Sequence, residues 1–151
     1  MKTHPDGMGE PMRITVAWWF PEGSKCHPQA GGEGKEAKVI EMIKETSVSG
    51  FEAGAAALME YDLLSPTEEN NGGLLGSKMK TLLVAGSLDG GGKVAAGMRG
   101  LCERWNAGQG EVRSPLVEFV EIEGAGHLPM VDKTERYWGA IGTFLKGVGN
   151  G

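Results

Sequence analysis

The stretch Thr81-Leu82-Leu83-Val84-Ala85-Gly86-Ser87-Leu88-Asp89 decides how this chain folds. It opens with a short, uninterrupted apolar run that stops at Gly86. A strand buried on both faces has that pattern, whereas a strand with one wet face alternates. Downstream, Val94, Met98, Leu101 and Trp105 fall at i, i+4, i+7 and i+11, one stripe of a helix. Gly97 and Gly100 weaken that helix by up to about 1 kcal/mol each relative to alanine, so it depends on packing. Val117 to Ile122 reads as a second strand, with Val117, Phe119 and Glu121 on one face. Asp132, with Glu135 three residues on, predicts the N-cap of a final helix. Tyr137, Trp138, Ile141, Phe144 and Leu145 form its expected buried face. Strand, helix, strand, helix predicts an α/β arrangement of two parallel strands with a right-handed crossover.

Two parallel strands do not make a stable sheet alone, because parallel sheets are covered on both faces and run to several strands. The pattern is that of the edge of a larger sheet, completed by further chain or by a partner. An open edge also favours self-association.

The upstream residues differ in kind. Residues 1–65 read as helices and loops, 66–80 as a linker rich in Asn and Gly, and 81–151 as the α/β part. Arg13 to Phe20 is apolar and aromatic, and Pro21 to Gly34 carries the prolines and glycines of a loop. Glu36 to Glu45 places Val39, Ile40 and Ile43 at helical spacing. A further helix is expected from Ser49, where Ser49 and Glu52 fit a capping box, with an apolar face through Phe51, Ala55, Leu58 and Met59. No segment here alternates as a half-buried strand does.

Composition narrows the function. With 151 residues, 40% hydrophobic and 23% charged, the chain is long and apolar enough for a globular core. The net charge of −5 and the lack of a Lys/Arg block argue against nucleic acid, whose phosphates require clustered cations. Cys26 and Cys102 lie far apart with no CxxC spacing, as expected of buried thiols in a reducing compartment. No run approaches the ~18 apolar residues of a membrane span. Met1 to Pro11 lacks the apolar core of a signal peptide, so a cytoplasmic location without a membrane partner is expected.

In open parallel sheets ligands bind beyond the carboxyl ends of the strands. Each of the two strands ends on a glycine-flanked loop with one ionisable residue, Asp89 in Gly86-Ser87-Leu88-Asp89 and His127 in Gly124-Ala125-Gly126-His127-Leu128-Pro129-Met130. An Asp and a His at adjacent strand ends can hydrogen-bond. That bond fixes the imidazole tautomer and stabilises the imidazolium formed when the histidine takes a proton from a nucleophile.

The Leu82–Asp89 stretch resembles the triad-acid strand and turn of α/β-hydrolases, and Ile122 to Met130 resembles their histidine loop. Tyr137 to Leu145 looks like the helix that follows. Trp19-Phe20-Pro21-Glu22-Gly23, Thr46 to Phe51, and Tyr61-Asp62-Leu63 are similar to the helical cap of 3-oxoadipate enol-lactonase-like members. The resemblance runs from about Ile14 onward and implies the C-terminal half of an α/β-hydrolase fold, cap first. It implies a hydrolase of a small ester or lactone, with Asp89 and His127 catalytic, Trp19 facing the substrate, and no cofactor or metal. The family's order of nucleophile, acid and histidine agrees with the order of the two residues seen.

The chain departs from the family in having no G-x-S-x-G motif and no oxyanion-hole segment. Where members carry Arg-Trp-Phe in the cap, this chain has Trp18-Trp19-Phe20. The alternative expectation is therefore an inactive truncated or split product that binds, or that needs a partner half. Asp62 in the cap and Asp132 at a helix start are poor substitutes for Asp89. Gly90-Gly91-Gly92-Lys93 misses the phosphate-loop spacing by one residue and has Val94 in place of the hydroxyl residue. Cys26-His27 has no second pair with which to complete a metal site.

Overall fold

A computed structural model of the chain describes residues 9–27, 35–60, 80–107 and 116–149. All but Lys80 of the expected 66–80 linker, and Tyr61-Asp62-Leu63 of the cap, lie outside these residues. The described elements are α1 (Gly9–Trp19), α2 (Lys35–Lys44), α3 (Val48–Glu60), β1 (Thr81–Gly86), α4 (Lys93–Ala107), β2 (Val117–Ile122), the single-turn α5 (Pro129–Asp132) and α6 (Thr134–Gly149). A glycine turn, Asp89–Gly92, joins β1 to α4. The protein is thus mixed α/β, helical first and then alternating.

β1 and β2 pair in parallel with Thr81 opposite Val117 and Gly86 opposite Ile122. Their carboxyl ends therefore lie side by side. The crossover helix α4 packs on both strands. Trp105 and Ala95 of α4 are buried, and Arg99 bonds Glu121 while lying over the Phe119 ring. Asn106 secures the start of β2, accepting the Val117 N–H at 3.1 Å and donating to its carbonyl at 2.8 Å. The face of β2 carrying Val117, Phe119 and Glu121 is thus the one that meets α4.

A second nucleus ties the helical segment to the α/β segment. Val16, Phe20 and Cys26 are buried together, with Val39, Ile40 and Ile43 of α2 and Leu128 and Val131 of the α5 region packed against them. The spacing predicted for α2 is the spacing used.

Three expectations require correction. Ser47, and not the Ser49–Glu52 box, caps α3: its Oγ accepts the Gly50 N–H at 3.0 Å, and Val48 starts the helix. Asp132 does not cap α6. It ends α5, 3% exposed, with its carboxylate turned to backbone N–H groups elsewhere. The predicted α6 face is not buried, since Trp138 is 59% and Leu145 60% exposed while Tyr137, Ile141 and Phe144 are half-covered. The α3 face is also open at Phe51, Leu58 and Met59. Amphipathic spacing marks a face that suits burial; among the described residues α6 is covered only in part, by β2 and α5, and no residue of α3 is buried. No helix among the described residues is long and apolar enough to cross a membrane.

Candidate active site

The site forms where the two strands end. Ser87 N–H bonds the Ile122 carbonyl at 3.1 Å, Leu88 N–H bonds the Ala125 carbonyl at 2.9 Å, and Ser87 Oγ accepts the Gly124 N–H at 2.8 Å. These bonds lace the post-β1 turn to the post-β2 loop. The approach is so close that a Cβ on Gly86 would lie 2.1 Å from the Gly126 carbonyl oxygen. Only glycine fits there.

The lacing sets Asp89 against His127. Nδ1 of His127 lies 2.9 Å from Oδ2 of Asp89, the distance of a charge-assisted hydrogen bond. The Asp89 side chain is 13% exposed and that of His127 47%. The acid is therefore sheltered and the imidazole open. With Nδ1–H donating to Asp89, Nε2 on the far side of the ring is the nitrogen left for chemistry. No group among the described residues hydrogen-bonds it.

The helical segment supplies the other wall. The end of α1 lies on the histidine loop, where the His127 N–H donates to the Trp19 carbonyl at 2.8 Å. The indole of Trp19 stacks on the His127 ring, with centroids 5.6 Å apart and planes at 24°. A Cβ on Gly126 would lie 2.1 Å from the Trp19 oxygen and 2.7 Å from Cδ of Pro21. Asp132 braces the same junction from below. Its Oδ2 accepts the Gly126 N–H at 2.9 Å and its Oδ1 the Lys25 N–H at 3.1 Å.

A cleft of about 640 Å³ opens over the pair, lined by Ile14, Thr15, Ala17, Trp18, Trp19, Pro21, Leu88, Asp89, Gly90, Gly91 and His127. Asp89, His127 and Trp19, the residues singled out from sequence, thus meet in one place. Ile14, Trp18 and Leu88 were not singled out as contacts. The apolar run before Phe20 was visible, but nothing local to it says which side faces a cleft. Gly90 and Gly91 take left-handed conformations, φ 56° and 67°, as the chain turns from Asp89 into α4. Among the described residues, no group of three or more His, Cys, Asp or Glu could hold a metal ion.

The arrangement can orient and charge a histidine for proton transfer beside an aromatic wall. No protein-family model, curated protein or solved structure matches this chain, so the site's geometry carries the functional reading.

Proposed function

We propose that this chain supplies the acid and the base of a nucleophile–His–Asp triad that hydrolyses a small ester or lactone, on part of an α/β-hydrolase fold. The observation that supports it is the 2.9 Å bond between His127 Nδ1 and Asp89 Oδ2, at neighbouring carboxyl ends of parallel strands. The cleft above them suits a small-molecule site in size and in its largely apolar lining.

In this reading Nε2 of His127 accepts the proton of a nucleophile hydroxyl as its oxygen bonds the acyl carbon. The imidazolium then gives that proton to the leaving oxygen as the acyl–oxygen bond breaks. Water, activated by the same nitrogen, releases the acid and restores the nucleophile. Asp89 holds the tautomer and stabilises the imidazolium. Trp19 limits the ring to one plane by stacking. The nucleophile and the oxyanion donors belong to a segment outside these 151 residues, because the sequence has no G-x-S-x-G elbow.

Expression of the chain together with the in-frame coding sequence upstream of Met1 tests this. Hydrolysis of an aryl ester that His127→Ala abolishes supports the triad. The open α3 and α6 faces favour a second reading, a chain that only binds or is completed by a partner. Partner-dependent assembly without hydrolysis would select that reading.

A further inference from the structure

We infer that the cleft selects esters with a neutral, apolar or aromatic acyl group over esters and lactones that carry a free carboxylate. This rests on the small-ester reading of the same site and adds the substrate class to it. The ionisable residues among the described lining are Asp89 and His127, and none of the described lining residues is a lysine or an arginine. A ligand carboxylate placed there would lie near the negative charge of the Asp89 side chain with no described lysine or arginine to offset it. The protein's net charge of −5 adds to the repulsion.

The apolar wall argues in the same direction. Trp18 is 78% and Ile14 58% exposed, and both line the cleft beside Pro21 and Leu88. An apolar acyl chain laid there removes this surface from water. The Trp19–His127 stack continues the wall as a flat surface up to the imidazole. A planar or aromatic acyl group can lie along that surface with its carbonyl near Nε2.

Binding is measured on the 151-residue chain by indole ¹H–¹⁵N shifts of Trp18 and Trp19. The probes are methyl 3-phenylpropanoate and its 4-carboxyphenyl counterpart at pH 7. The neutral ester is expected to shift both indoles saturably, and the carboxylate ester to bind at least about tenfold more weakly. Ile14→Arg, at an exposed position, is expected to bring the two affinities to within about threefold by giving the carboxylate a cation. Equal or tighter binding of the carboxylate ester by the unaltered chain overturns the inference, as does the absence of a saturable shift from either probe. Binding needs no nucleophile. Selectivity without His127-dependent hydrolysis would therefore sink the proposed reaction alone, and hydrolysis without selectivity would sink this inference alone.

Discussion

The carboxylate of Asp132 accepts the backbone N–H of Gly126, next to His127, at 2.9 Å. Its other oxygen takes the Lys25 N–H at 3.1 Å. One buried side chain thus fixes both the histidine loop and the turn after α1 that packs upon it. The position of His127 is set from below by Asp132, from the side by Trp19 and across the strands by Asp89.

Asp132→Ala leaves two N–H groups without their acceptor, the buried one of Gly126 and the part-buried one of Lys25, a loss of about 2–4 kcal/mol. Asp132→Asn, which keeps one acceptor oxygen, is expected to fall between. Denaturant midpoints of the two variants check the order. Equal midpoints for wild type and alanine would show that the brace contributes nothing.

Two kinds of glycine should respond in opposite directions. Gly126→Ala forces a Cβ against the Trp19 carbonyl and Pro21, at a cost of about 3 kcal/mol or more. Gly97 lies inside α4 with nothing within 4 Å of an added Cβ. Gly97→Ala is therefore expected to stabilise by up to about 1 kcal/mol. Thermal unfolding of both variants against wild type decides this.

The Asp89 bond predicts a tautomer. In its neutral form His127 should carry its proton on Nδ1, with Nε2 bare, read directly from ¹⁵N shifts of the imidazole. Asp89→Asn removes the charged acceptor and is expected to admit the Nε2–H form. A wild-type ring already protonated on Nε2 would contradict the bond.

Cys102 should be a slow thiol. Burial raises its pKa, and the charges of Glu103 and Glu118 raise it further. Its Sγ also donates to the Val117 carbonyl at 3.2 Å. A raised pKa leaves less thiolate at a given pH, and thiolate is the reactive form. Alkylation by iodoacetamide at pH 8 is thus expected to lag that of free cysteine, rising only at higher pH. Glu118→Gln should hasten it.

Where the sequence was legible, the signal was local. The apolar run Thr81 to Ala85 and the alternation from Val117 mark the strands of the structure, with Gly86 added to β1 by pairing with Ile122. Val94, Met98, Leu101 and Trp105 mark the inner side of α4, ending on buried Trp105. Asp89 and His127 stood out because each ends a strand, and parallel pairing brings such ends together. Trp19 is a different case, singled out only through a family resemblance. What could not be read depends on residues far apart. Asp132 looks like a helix cap in its own neighbourhood, yet one of its partners is 107 residues away. Ser47 and Ser49 both precede the apolar turn of α3, and only the backbone path chooses Ser47. The faces of α3 and α6 show that an apolar stripe does not name its own cover.

The catalytic roles of His127 and Asp89 are tested by hydrolysis measured on the chain expressed with the coding sequence that precedes Met1 in frame. Turnover of a neutral aryl ester is expected to fall by about 10³-fold or more in His127→Ala, and by less in Asp89→Asn. Turnover indifferent to both substitutions, or no upstream nucleophile and no turnover, would contradict those roles.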